Sequence, residues 1–150
     1  MATKEKHIEI AQRHKYFIKF TCQTVKQHPS KCAPEVFCVW IVMASYYRAI
    51  HLLEAIFDKY GFGHAIPTND EDADKRRKVL LRKLDMSRIR EECKHLRRFA
   101  LHAKYFTDDP AFDYDVVTQL DMTQKWVVDG VLARIEALVA SALEAKVEDI

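Results

Sequence analysis

The longest apolar pattern in the chain runs from Pro34 to Tyr60, PEVFCVWIVMASYYRAIHLLEAIFDKY, without an internal Gly or Pro. Every residue from Val36 to Ala44 is apolar, so a helix over this stretch is expected to be buried all round. From Arg48 onward polar positions return. Arg48, His51, Glu54, Asp58 and Lys59 fall, at about 100° per residue, within one arc of roughly 140°. The pattern predicts a central rod that is wrapped by protein at its first end and open on one side at its second.

The flanking patterns predict helices on either side. Residues 4–28 carry Ile10, Phe17, Thr21 and Val25 as recurring inward positions, with Lys and Arg between them. His28-Pro29 ends this helix, because the residue before a proline is pushed out of the α region. Pro34 suits the first turn of the rod, and Gly61-Phe62-Gly63 supplies a glycine for a left-handed cap at its end. His64 in the following loop reads as a solvated residue. A third helix is expected from Thr68-Asn69-Asp70. Its acids Glu71, Asp72 and Asp74 precede the cationic run Lys75 to Lys83, the order the helix dipole favours, and Val79, Leu80 and Leu84 form its inward stripe.

A fourth helix, 87–106, has an inward face of Ile89, Cys93, Leu96, Ala100 and Ala103. Opposite it runs a second stripe of Glu91, His95, Arg98, His102 and Tyr105. TDDPA at 107–111 reads as a turn. Asp113 or Asp115 then caps a last helix that runs toward Glu144 with Val117, Leu120, Val127, Val131 and Leu138 inward. Gly130 inside that helix is tolerated at about 1 kcal/mol relative to Ala.

Composition agrees with the periodicity. Only 3 Gly and 4 Pro accompany 49% hydrophobic and 31% charged residues in 150, which excludes an all-β chain and fits one all-α domain over 1–150, an up-down bundle of four to five helices. The charged start MATKEKHIEI does not read as a secretory leader, so none is expected, and Cys22, Cys32, Cys38 and Cys93 are unevenly spaced. Reduced thiols and a cytoplasmic location are expected. Nine consecutive apolar residues fall short of the roughly 20 needed to cross a bilayer, so no membrane partner is expected.

The net charge is only +2, yet Lys75 to Lys104 hold 12 basic and 3 acidic residues. That segment is the place for a polyanion or an acidic protein partner. Metal chemistry finds less support. Cys22, His28, Cys32 and Cys38 lack the paired short spacings of structural zinc sites, and Glu92-Cys-Lys-His95 is a lone Glu-x-x-His. No glycine-rich phosphate loop or nucleophile elbow occurs. No metal and no organic cofactor is expected.

Basic and imidazole chemistry remains. Cleaving RNA without a metal needs a group to move the 2′-hydroxyl and leaving-group protons and a cation to steady the phosphorane oxygens. Arg97, Arg98 and His102 supply these types on the fourth helix, where Arg98 and His102, four apart, share a face better than Arg97 and His102. Arg90, Lys94, His95 and Tyr105 extend the set as RNA-contacting residues. Arg48 and His51 on the rod, flanked by Tyr46 and Tyr47, form a second basic and aromatic patch able to stack and pair with a nucleotide. The competing reading of that patch is an ion pair satisfying a partly buried Arg48.

The run WIVMASYYRAIHLLEAIFDKYGFG, then DKRRKVLL, then an arginine-rich helix ending in ALHAKYF, resembles the HEPN superfamily. These are small all-α domains of prokaryotic toxin–antitoxin, defence and RNA-processing systems. Trp40, Ser45, Tyr46, Tyr47, His51 and Ala55 carry the likeness on the second helix. The resemblance implies a four- or five-helix bundle, homodimerisation and, in active members, a metal-independent endoribonuclease. Arg97, Arg98 and His102 in RRFALH resemble its Arg-Asn-x-x-x-His motif, with Arg98 standing at the Asn position. His102 would then be the general acid/base, and Arg97 or Arg98 would stabilise phosphate charge. The alternative function is a non-catalytic interaction module, antitoxin-like or adaptor, that binds an acidic protein partner or a nucleotide.

Overall fold

The computed structural model describes residues 2–63, 69–106 and 109–150, and these are helical with no strand. Helix α1 (Lys4–Gln27) starts at Thr3, whose hydroxyl accepts from the Lys6 N–H, and ends at His28 before the proline. Helix α2 (Pro34–Lys59) has Pro34 in its first turn, where a missing N–H leaves no bond unmade. Gly61, at φ 76°, turns the chain out of it. The two helices pack antiparallel. The Lys4 N–H donates to Asp58 at 2.7 Å, Arg48 donates to the Ala11 carbonyl at 2.7 Å, and His14 stacks on Tyr47.

Two expectations about these helices reverse. On α1 the buried positions are His7, Ala11, Ile18, Thr21, Cys22 and Val25, and Phe17 is turned outward. Small residues at Ala11 and Cys22 let α1 approach α2 closely, which leaves the rings of Tyr16, Phe17 and Phe20 on the outside. On α2 the apolar first half is not wrapped: Val36 and Trp40 are 52% and 59% exposed, whereas the whole run Leu52–Phe57 is buried, Glu54 included. The nine-residue run also understates this helix. By length and composition α2 is apolar enough to cross a bilayer, but half of that window is buried inside the protein, as in a core helix.

Helix α3 (Asp70–Lys83) is capped by Asn69, whose side-chain carbonyl accepts from the Asp72 N–H at 2.9 Å. Acids fill its first turn and Arg82 and Lys83 its last, as the dipole favours. Its buried side is Ala73, Leu80 and Leu81; Val79, expected inside, is exposed, since the covered face is one position further on. A left-handed residue, Asp85 at φ 55°, leads into α4 (Ser87–Tyr105). There Ile89, Leu96, Ala100 and Ala103 are buried and Cys93 is packed at the edge of the core. His64, Thr107 and Asp108 lie outside the described residues.

The last segment is not one helix. Asp113 accepts from the Asp115 N–H at 3.0 Å at the head of a single turn, α5 (Asp115–Thr118). Gln119 is extended (φ −108°, ψ 125°) and breaks it. Then α6 (Leu120–Met122) leads into a π-helix, Thr123–Leu132, and α7 (Ala133–Leu143) completes the bundle. The buried Thr123 hydroxyl donates to the Val116 carbonyl at 2.7 Å, so the break leaves that carbonyl satisfied. A Cβ on Gly130 would stand 2.9 Å from the Lys125 carbonyl oxygen. Gly130 is required by the wider π turn rather than merely tolerated.

Candidate nucleic-acid interface

A groove of about 460 Å³ runs between α2, α3 and α4. Its floor is apolar, with Ala49, Ile50 and Leu53 from α2, Leu81 from α3 and Leu96 from α4. Its rim is cationic, with Arg77, Lys78 and Arg82 from α3 facing Arg90, Lys94 and Arg97 from α4. Spacing explains the rim: Arg90, Lys94 and Arg97 recur at four and three, and Lys78 and Arg82 at four, so each set shares one helix face. Two acids, Asp74 and Glu91, interrupt the six cations. Asp74 holds Lys78 at 2.6 Å and stands 3.6 Å from Arg97 Nε. The Asp74 side chain is 14% exposed, so these two pairs are part-covered and fix the positions of Lys78 and Arg97 on the rim.

Tyr46 forms part of the groove wall, and burial pushes its phenol pKa up against the pull of Arg77 and Arg97. It stays a neutral hydroxyl. A smaller cavity of about 90 Å³ continues the groove, sharing Tyr46, Ile50, Arg77 and Arg97 and adding Tyr47, Lys104 and Tyr105. There Lys104 Nζ lies 5.0 Å from the centre of the exposed Tyr105 ring. The groove therefore ends on two rings that a base can stack on.

A second cluster lies around the flank of α4. His102 is 7% exposed, with its ring stacked on Phe112 at 3.8 Å between centres. Its Nε2 is 3.5 Å from an Asp109 carboxylate oxygen, and its Nδ1 is 3.4 Å from the Tyr114 hydroxyl. Arg98 donates to the same Asp109 oxygen at 3.1 Å. The Asp109 carboxyl is held below the usual range, first by the Ala111 N–H and then by Arg98. A carboxylate and a phenol on either side of an imidazole can position it for proton transfer, but Phe112 covers the ring face here.

The expected residues thus divide. Arg90, Lys94 and Arg97 line the groove and Tyr105 lies at its end, while His95 is exposed elsewhere on α4. Arg98 and His102 are brought together through Asp109, but Arg97 points to the other side of the helix, as their five-residue separation implies. Arg48 and His51 do not join a surface patch. Arg48 is fully buried, donating to Glu136 at 2.5 Å, the Ala11 carbonyl at 2.7 Å and the Ile150 carbonyl at 2.8 Å. His51 Nδ1 lies 3.1 Å from His7 Nδ1 in the seam with α1. Both are taken up by helix packing, so the ion-pair reading of Arg48 replaces the nucleotide patch.

Asp109, Phe112 and Tyr114 fall outside the residues the sequence pointed to, because the turn that folds them over α4 carries no periodic signal. Glu92 of the Glu-x-x-His is held by Arg134 at 2.8 and 3.0 Å. All four cysteines are free thiols, and burial pushes Cys22 up to about 11 and Cys93 up to about 12. Among the described residues no three His, Cys, Asp or Glu side chains are placed to hold a metal ion. No family model, no curated protein and no solved structure matches the chain. Its class is therefore defined by its own geometry: an all-helical domain with a basic groove.

Proposed function

We propose that the chain is a HEPN-like RNA-binding domain whose contact surface is the groove between α2, α3 and α4. One observation carries the reading: six cations surround an apolar floor within a single groove. Phosphates use the rim, and bases use the floor and the rings of Tyr47 and Tyr105. A peptide of acids alone would use the rim and leave the floor idle, whereas nucleotides use both. Catalysis is not part of the reading: Arg97 and His102 serve different sides of α4, the Arg98 guanidinium beside His102 is taken up by Asp109, and Phe112 covers the imidazole face.

The test is binding of a labelled single-stranded RNA across a salt series. Four to six phosphate contacts give a slope of log K against log salt of about −3 to −4. Replacing Arg97 or Lys94 by Ala lowers its magnitude by about 0.7 each. A flat salt response, or tighter binding of an acidic peptide than of RNA, refutes the reading. RNA incubated in EDTA is expected to stay intact; cleavage that disappears in His102→Ala would establish the nuclease form instead.

A further inference from the structure

We propose that a second cavity, between α1 and the π-helix, takes up a small zwitterion with an apolar body, of the class of an apolar dipeptide. The cavity measures about 470 Å³ and shares no lining residue with the basic groove, so the inference does not depend on RNA binding. Its size lies within the about 300–1,000 Å³ of small-molecule sites. Ile18 and Cys22 from α1 and Val128 and Leu132 from the π-helix give it an apolar lining.

The two walls carry opposite charge. Lys15, Lys19 and Lys26 line the cavity from α1 and fall, at about 100° per residue, within one arc of roughly 40°. Asp129 lines it from the π-helix together with Gln124. These two are five apart, about one turn where bonds run from i to i+5, whereas an α-helix would set them about 140° apart. The π turn that Gly130 permits therefore brings an acid and an amide onto the wall across from the lysines.

Charge selects the ligand. Arg48 and Glu136, which also line the cavity, are joined to each other, and Lys15 donates to the Val147 carbonyl at 3.1 Å. Lys19, Lys26 and Asp129 form no ion pair with any described residue. Lys26 and Asp129 nonetheless bear on the same point of the lining: burial pushes the Cys22 thiol up, Lys26 pulls it down and Asp129 pushes it up. An anion alone would leave Asp129 unanswered, and a cation alone would meet the lysines. A ligand of both signs answers both walls, carboxylate to Lys19 or Lys26 and ammonium to Asp129, with its side chains on Ile18, Val128 and Leu132. A single amino acid holds both charges on one carbon. A dipeptide sets them apart by a further step of about 3.8 Å between Cα atoms, which suits charges that stand on separate walls.

Calorimetric titration with leucylphenylalanine tests this. The expected result is saturable one-to-one binding with a Kd of about 0.1 mM, and binding about tenfold weaker or worse for its N-acetyl form and for its C-terminal amide. Asp129→Asn should weaken the free dipeptide about tenfold and leave the N-acetyl form unchanged, a split that a merely structural role would not produce. Lys19→Ala with Lys26→Ala should spare the amide in the same way. All three side chains are exposed, so helical circular dichroism should match that of the parent. Bound dipeptide should slow alkylation of Cys22 and leave that of Cys93, in the basic groove, unchanged. The proposal is overturned if no saturable binding is seen up to about 5 mM, or if octanoate or the N-acetyl form binds as tightly as the free dipeptide. It is equally overturned if Asp129→Asn weakens both forms alike, or if Cys22 alkylation is unaffected at saturation.

Discussion

The two halves of α2 are placed in the opposite sense to their composition. Val36–Ala44 is wholly apolar yet presents Val36 and Trp40 to solvent, while the half that holds Arg48, Glu54 and Asp58 buries the first two and uses all three as packing bonds. Glu54 receives both of its oxygens' bonds from Arg76 Nη1, at 2.9 and 3.0 Å, and Arg76 Nη2 also donates to the Gly63 carbonyl. A charged residue on a core helix therefore marks where a partner arrives, not where solvent begins. Apolar residues on the same helix face inward only where another element exists to cover them.

The largest test of that contrast is Arg48→Ala. Removing the guanidinium leaves the part-buried Glu136 carboxylate without its Arg48 partner and opens a cavity beside the Ala11 and Ile150 carbonyls, a loss of about 3–5 kcal/mol in denaturant unfolding. Arg48→Met together with Glu136→Leu should recover most of it, because both charges then leave together. Glu54→Ala should cost less, about 1–3 kcal/mol, since Arg76 stays partly solvated and keeps its bond to Gly63. An Arg48→Ala loss below about 1 kcal/mol would mean the second half is open after all.

Periodicity, caps and dipole order carried most of the helix boundaries. Pro34 and Asn69 begin helices where the chain signals them, α1 and α4 start at the expected Lys4 and Ser87, and the inward face of α4 holds from Ile89 to Ala103. Which face of α1, α2 or α3 is covered was less legible, because Phe17, Trp40 and Val79 are apolar whether or not a neighbour covers them. The basic rim was visible in the composition of 75–104, but the groove beneath it depends on how α3 stands off from α2. The break at Gln119 and the π turn left one trace, Gly130, which reads in sequence as a minor helix cost.

Gly130→Ala sharpens the comparison by disturbing what covers the second half. Helix α7 follows directly from the π segment, and Glu136 and the Ala142 carbonyl on it hold Arg48 and Lys59 of α2. By propensity alone the substitution would gain about 1 kcal/mol. The Lys125 carbonyl, 2.9 Å from the added methyl, reverses the sign. A net loss of about 1–2 kcal/mol is expected by thermal or denaturant unfolding, as in overpacking. A gain would show that the π turn closes to an α turn without moving α7.

The smallest effect expected is that of Trp40→Ala on the isolated chain. A tryptophan inside a core costs about 3–5 kcal/mol when truncated, whereas one on the surface costs within about 0.5 kcal/mol. With Trp40 59% exposed, unfolding at low protein concentration should scarcely change. A loss of more than about 2 kcal/mol at high dilution would instead place Trp40 among core residues and return the first half of α2 to the wrapped state its composition suggests.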